Sequence, residues 1–438
     1  MHGPTVSEVA RHRMRRVSVR VLASFFALVL SGVTGYVIDA RADGPVHVPF
    51  ERLEHLGLRV KETEEAIEKT IVSKSLGLKF YGYLEGSYTQ NFNNPSNRIN
   101  QLRIFDVNSN EFRPNLAQLV LEREAKSDGS GLDRLGGKVK FNAGRDSDFI
   151  GGMNLSDWAD FQEVYAQYIV PVGAGLDIKL GQVNSLVGYE VVESPYNGNY
   201  SRSWLFGLGQ PFTTRGVRGT YAFDKHVSLS VGVIAFINSA RANTRYDPLT
   251  EAALTISPSD RVTLVLYNLL GQRPGAVGTP GGMLVQVGGY LSLHLTDRAS
   301  AIIESYYANQ ANSSTISPAG NARWNGVAGY LIYDMTKEWG IRVRSELYED
   351  AGGFTTCEGT TAYQPRANVC FGATSTTSAP PVGQTLWEVT TTLQYKPFKS
   401  LTTRLEYRYD KSNQHVFQIG ERAATYQPTL SLDVIYLF

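Results

Sequence analysis

From residue 77 onward, apolar positions recur every second residue in runs of strand length, broken alternately by short polar turns and longer polar connections. In 384–396, Trp387, Val389, Thr391, Leu393 and Tyr395 share one side, and in 400–410 Leu401, Thr403, Leu405, Tyr407 and Tyr409 do. The opposite positions are more polar. Side chains alternate between the two faces of a strand, so a period of two predicts a sheet with one apolar face. Tight turns fall at 127–131, 171–174, 224–225, 257–260, 296–298, 336–338 and 396–399, and the connections between them are rich in Asn, Gly, Ser and Pro. This rhythm predicts sixteen strands, near 78–89, 115–126, 134–145, 159–170, 175–184, 213–223, 226–238, 249–257, 260–270, 283–295, 299–309, 322–334, 338–349, 384–396, 400–410 and 428–438. The eighth and ninth are the least marked, and fourteen strands is the fallback, because an up-and-down barrel with both ends on one side of a membrane needs an even count.

The chain ends on such a strand. Leu430, Leu432, Val434, Tyr436 and Phe438 share a face, and a strand at the extreme terminus needs a neighbour along its open edge, which barrel closure supplies. At the other end, Arg11, Arg13, Arg15, Arg16 and Arg20 precede a largely apolar stretch, 21–37, and Ala40-Arg41-Ala42 fits a small-x-small cleavage site. This predicts a signal peptide over 1–42; the competing transmembrane helix is interrupted by Ser31, Gly32, Thr34 and Gly35. In 49–75, Leu53, Leu56, Val60, Ile67 and Ile71 fall near one helical face. The segment 43–76 is therefore expected to be a partly helical periplasmic lead-in, with a short coiled coil or a lumenal plug as alternatives. The barrel would occupy 77–438.

Composition limits the function classes. Beyond the signal no apolar run approaches the roughly 20 residues of a spanning helix, which excludes a helical membrane protein. A soluble sandwich would give the same alternation, but Trp387 and Tyr395 bracket one apolar face as an interfacial aromatic girdle does, which favours a transmembrane antiparallel barrel. The net charge of +1 supplies no basic excess for nucleic acid. No cofactor is expected: His47, His55, His226, His294 and His415 show no metal-ligand spacing, and no nucleophile elbow or phosphate loop is present. Glu122 and Glu124, on one strand face, are the nearest approach to paired-carboxylate chemistry, and such pairs are ordinary in a wet pore. Cys357 and Cys370 lie in one connection, and export favours a disulfide between them.

If the apolar faces meet lipid, the other parity points inward. It carries Lys79, Tyr81, Tyr83, Glu85, Glu122, Glu124, Lys138, Lys140, Glu163, Asp177, Lys179, Arg218, Arg342, Arg344, Glu346, Arg404, Glu406, Arg408 and Asp410. Isolated charges in a dry interior are costly, so so many of them predict a hydrated lumen and a conducting pore; each alone could equally be a cross-strand salt bridge. The connection 185–212 holds Glu190, Glu193 and Arg202 among Tyr189, Tyr196, Tyr200 and Trp204. A connection this long is commonly functional. Folded into the lumen, it would form a constriction with its acidic pair facing wall arginines such as Arg218, Arg342 and Arg404; the alternative is an external lid packed on itself.

Several segments resemble the OmpL-like outer-membrane β-barrel porins: Tyr165-Ala166-Gln167-Tyr168 before Pro171-Val172-Gly173-Ala174-Gly175, then Gly188-Tyr189-Glu190-Val191-Val192-Glu193-Ser194-Pro195, Asn199-Tyr200-Ser201-Arg202-Ser203, Gly216-Val217-Arg218, Gln384-Thr385-Leu386-Trp387-Glu388-Val389 and Arg404-Leu405-Glu406-Tyr407-Arg408. The final Tyr436 and Phe438 are similar to the C-terminal signal read by the outer-membrane barrel-assembly machinery. The resemblance implies a bacterial outer-membrane channel for small polar solutes, in contact with outer-membrane lipid. General porins of this size are often trimers, although no subunit interface can be read from the residues. The competing reading is a closed barrel acting as an adhesin or structural anchor through its external loops, 351–383 above all.

Overall fold

The computed structural model describes residues 77–150, 152–237, 248–273, 282–317, 320–357, 370–372 and 381–438. The expected signal peptide and helical lead-in lie outside the described residues. The strands are β1 Leu78–Asn91, β2 Glu111–Arg123, β3 Leu135–Ala143, β4 Met153–Ser156, β5 Ala159–Val170, β6 Leu176–Asn184, β7 Thr213–Ala222, β8 Val227–Ile237, β9 Leu249–Ser259, β10 Val262–Arg273, β11 Gly282–Thr296, β12 Ala299–Gln310, β13 Ala322–Asp334, β14 Trp339–Asp350, β15 Gln384–Phe398, β16 Leu401–Ser412, β17 Phe417–Ile419, β18 Arg422–Ala424 and β19 Tyr426–Leu437. Two single-turn helices, α1 Ser147–Ile150 and α2 Trp204–Gly207, sit in connections.

Sixteen strands form the wall, each antiparallel to its chain neighbours, and β19 pairs with both β16 and β1 to close it. Every strand expected from the alternation is present, including β9 and β10, the two least marked in sequence. Closure leaves no wall edge open, which is what lets a sheet stand in hydrocarbon. At the seam Phe438 exchanges two 3.0 Å backbone hydrogen bonds with Gly82. A Cβ at Gly82 would lie 2.0 Å from the Gln118 carbonyl oxygen and 3.0 Å from the Phe438 ring, so only glycine fits between the closing strand and β2.

The parity is as expected. Leu432, Val434 and Tyr436 are exposed on the outer face, as are Trp387, Val389, Leu405 and Tyr407, while Asp433, Glu388, Glu406 and Arg404 point inward and are buried. Two small strand pairings were not legible beforehand: β4 continues the ladder beside the start of β5, and β17–β18 make a hairpin in the connection before β19. Cys357 and Cys370 are joined as a disulfide.

Candidate functional site

The barrel interior is occupied by two of its own long-end connections, 185–212 (here L3) and 92–110 (L1). L3 leaves β6 and enters the barrel instead of packing outside it. Two features of its sequence drive this. Val187, Tyr189, Val192, Leu205, Phe206, Leu208 and Phe212 form one buried apolar cluster with inward residues of β8–β13, among them Ile234, Leu269, Leu284, Ile302, Tyr306 and Ala328. Glycines allow the close approaches: Gly188 takes a φ of +99°, and a Cβ at Gly209 would fall 1.5 Å from the Tyr306 hydroxyl. The carbonyl of Gly209 accepts from the Trp324 indole (3.0 Å) and the Gln286 amide (2.9 Å). Ser203 caps α2, its hydroxyl accepting from the Phe206 amide at 3.1 Å.

The other half of L3, 190–203, has only one short 3-10 turn, Ser194–Tyr196, so most of its backbone polar groups lack internal partners. The charged wall supplies them. Glu406 accepts the amides of Tyr200 (2.7 Å) and Ser201 (2.9 Å), Glu346 those of Trp204 (2.7 Å) and Leu205, and Glu304 that of Tyr189 (3.1 Å). The arginines take the carbonyls. Arg404 donates to Ser194 (3.2 Å), Asn197 (2.9 Å) and Asn199 (3.1 Å), Arg344 to Ser201 (2.6 Å), and Arg408 to Arg202 (2.6 Å). Alternating acidic and basic side chains on β12, β14, β16 and their neighbours thus do for L3 what an adjacent strand does in a ladder. Charge-assisted hydrogen bonds of this kind are about twice as strong as neutral ones.

The acids of L3 are equally engaged. Glu190 pairs with Arg344 (2.8 Å) and accepts from the amide and hydroxyl of Ser203, both at 2.7 Å. Glu193 pairs with Lys140 and accepts from Gln162 (2.8 Å) and Asn184 (3.1 Å). Burial works against the Glu193 charge, but the Lys140 ammonium and the Asn184 amide outweigh it and hold the carboxyl below the usual glutamate range. Arg202 donates to the carbonyls of Val191 (3.2 Å), Tyr200 (2.6 Å) and Val192 (3.0 Å), and lies over the Phe105 ring.

These positions revise one expectation and refine another. The acidic pair of L3 meets Arg344 and Lys140, not Arg218, Arg342 or Arg404. Arg218 pairs with Glu251 (2.8 Å), Arg342 with Asp334 (2.7 Å), and Arg404 with Asp433 (2.7 Å), so each of these arginines has a wall carboxylate as its partner. The inward charges were expected to line a hydrated lumen, and for five of them the structure adds closer partners: Arg344, Glu346, Arg404, Glu406 and Arg408 are buried under L3 and bonded to its backbone and to neighbouring countercharges. Glu85, Lys140, Glu304, Glu388 and Asp433 belong to the same lattice; of these only Glu85 and Lys140 stood among the inward residues read from sequence.

L1 was not expected to enter the barrel at all. Leu102, Ile104 and Phe105 insert over L3, Arg103 binds Asp410 on the wall (2.7 Å) and Asp106 within L1, and the Trp204 indole donates to the Leu102 carbonyl (2.9 Å). The available signal was the apolar set Leu102, Ile104 and Phe105 inside a long polar connection, which alternation along strands does not flag. A narrow gap of mixed lining, too tight for a water-sized solute, remains where L1, L3 and the β1–β2 wall meet, with Tyr83, Glu85, Asp146 and Arg202 on its polar side and Phe105, Leu116 and Val192 on its apolar side.

A family model described as "Putative beta-barrel porin-2, OmpL-like" matches residues 77–438. No curated protein matches the sequence. Among solved structures, the chain is similar to the outer membrane channel DcaP of Acinetobacter baumannii (TM-score 0.54, 13% identity, 84% of this chain and 99% of that one). It is also similar to an anion-selective porin from Comamonas acidovorans (0.52, 10%, 82% and 99%) and to the trimer form of OmpT from Vibrio cholerae (0.52, 9%, 82% and 99%). At these identities the likeness is one of fold.

Proposed function

The chain belongs to the OmpL-like β-barrel porin-2 family, whose members are passive outer-membrane channels, and from this premise we propose that L3 is the constriction of the channel. In this reading Glu190, Glu193 and Arg202 on the loop, with Arg218, Arg342, Arg344, Glu346, Arg404, Glu406 and Arg408 on the wall, decide how wide the passage is and which small hydrophilic solutes cross it. The observation that carries it is the use of wall charges, strand after strand, to hold the backbone of one loop inside the barrel. An adhesin or anchor would work through its external loops, whereas a loop fixed inside the barrel sets what the interior admits. The channel would have no catalytic activity of its own.

The same reading places the terminal end of the barrel, with Phe438 and the short turns, in the periplasm, where Phe438 would serve as the handle for the assembly machinery. The signal peptide 1–42 would direct export, and 43–76 would remain as a periplasmic lead-in. A homotrimer is the proposed assembly, by analogy with porins such as the trimeric OmpT.

Planar-bilayer recording tests the proposal. Purified, heat-modifiable protein is expected to give stepwise conductance, and liposomes bearing it to swell in small sugars. Glu190→Gln together with Glu193→Gln leaves the Arg344 and Lys140 charges without their loop partners, so the reversal potential in a salt gradient should move toward anion preference. Stepwise conductance with an unchanged reversal potential would remove L3 from the constriction; absence of conductance would remove the channel.

A further inference from the structure

L1 and L3 are held in very different ways. L3 is gripped by wall charges from several strands, whereas the tip of L1, 100–107, makes one ion pair with the wall, from Arg103 to Asp410, and charged side chains of β2, Arg113 and Glu111, hold Asn108 at its base. The other ties of the tip to the wall are hydrogen bonds, among them those from the Gln101 amide to the Gln427 side chain at 3.0 Å, the Arg103 guanidinium to the Thr429 hydroxyl at 3.1 Å, the Asn115 amide to the Phe105 carbonyl at 3.3 Å, and the Asn91 amide to the Asn100 side chain at 2.8 Å. L1 also carries most of the backbone strain. Of the seven non-glycine residues with positive φ among the described residues, five lie in L1, and these include Leu102 (57°) and Phe105 (68°), bulky residues for which the left-handed region is a genuine outlier. Such conformations persist only when surroundings over-determine them, and they concentrate at switch regions.

The base of L1 is built to stay put while its tip moves. Ile99 and Asn108 form an isolated antiparallel bridge, and the Asn100 amide donates to the Val107 carbonyl at 2.7 Å. Beyond this neck the tip lies on L3 with Phe105 packed against Phe212 and over Arg202. It covers the narrow gap between Tyr83, Glu85, Asp146 and Arg202. Ile104 rests on the one residue of α2 that has no side chain: a Cβ at Gly207 would come within 2.9 Å of the Ile104 methyl, and nothing else outside its own turn lies within 4 Å apart from that same isoleucine.

We propose that L1 is a gate: a strained lid, held to the wall by a single ion pair, whose tip, 100–107, closes the passage above a fixed L3 and opens by swinging about the Ile99–Asn108 neck. This rests on the reading of L3 as the constriction. Opening releases the left-handed strain. Closure is favoured by burial of the tip and by the Arg103–Asp410 pair.

Three variants, recorded in bilayers beside the wild type, test the gate. Gly207→Val drives a wedge under Ile104 without touching the wall, and Arg103→Met removes the tether while Asp410 keeps Arg408 as its partner at 2.7 Å. Each is expected to raise open probability several-fold, Arg103→Met by about tenfold or more, since a charge-assisted contact is lost and Asp106 in the tip loses its cation. Replacing 100–107 by an Asn-Gly turn should leave the channel permanently open, and Gly207→Val in that background should add nothing. Open probabilities equal to wild type in all three, in barrels that conduct and remain heat-modifiable, would overturn the gate while leaving the constriction intact. A Gly207→Val effect of equal size without the L1 tip would also overturn it. If no form conducts, the channel reading itself fails.

Discussion

Arg404→Met is the most telling single perturbation of the interior. Its guanidinium is almost wholly buried and makes contacts in two directions: to the wall carboxylate of Asp433, at 3.0 Å and 2.7 Å, and to the carbonyls of Ser194, Asn197 and Asn199 in L3. The hydroxyl of Ser194 and the carboxylate of Glu85 complete the shell. Methionine fills similar space but donates nothing. The carbonyls of Asn197 and Asn199 then lose their donor, that of Ser194 keeps only the Asn197 amide, and Asp433 and Glu85 lose their nearest cation. Breaking one partner out of a buried pair costs about 3–5 kcal/mol. The barrel ladder of β16 with β15 and β19 is backbone-to-backbone and does not pass through this side chain. The loss therefore falls on the docking of L3 around 194–199. A penalty of that size is comparable to the net stability of a small domain, so the turn should detach for a large fraction of the time. In single-channel recordings the expected result is higher conductance with marked open-state noise, alongside unchanged heat-modifiability. Adding Asp433→Asn removes one of the stranded charges and should recover part of the lost stability. Wild-type conductance and noise in a folded Arg404→Met barrel would refute the argument that wall charges hold the loop.

Two other outcomes follow from particular contacts. Lys140 depresses the Glu193 pKa, so this carboxylate contributes docking energy at every pH above the ordinary glutamate range, and the contribution disappears as pH falls through the lower folded value. Under stronger acid the wild-type conductance should therefore become noisier, and Glu193→Gln should abolish that transition; the same acid transition persisting in a folded Glu193→Gln barrel would contradict it. Gly82→Val places a Cβ on the Gln118 carbonyl and against Phe438, so the seam between β1, β2 and the terminal strand cannot form, and folding yield judged by the heat-modifiable band should collapse. Normal yield would mean that the seam tolerates a displaced β1.

The strands were legible because lipid imposes a simple rule on every one of them. An outward position must be apolar and its neighbours need not be, so the period of two in 384–396 or 430–438 carries both the element and its orientation, and adding the turns gives the number of strands. The burial of alternate residues in β15 and β19 follows that pattern directly. Cys357 and Cys370 were readable as a pair for a related reason: they stand alone in one connection of an exported chain.

The lumen obeys no such rule. An inward Arg404 or Glu406 reads the same whether it faces water, a cross-strand partner or a loop backbone, and which of these it meets depends on residues about 200 positions away in sequence, as with Glu406 and Tyr200 (206) or Arg404 and Asn197 (207). L1 was invisible for the same reason: Leu102, Ile104 and Phe105 are apolar without period, and only the presence of L3 beneath them makes the interior the place to bury them. The amino-acid pattern by itself determined the barrel, its strand count, its inside and outside, and the loop worth watching. The tertiary structure alone decided that the charged wall grips that loop and that a second loop covers it, because those contacts are selected by three-dimensional proximity between backbone groups that every residue carries and no sequence pattern marks.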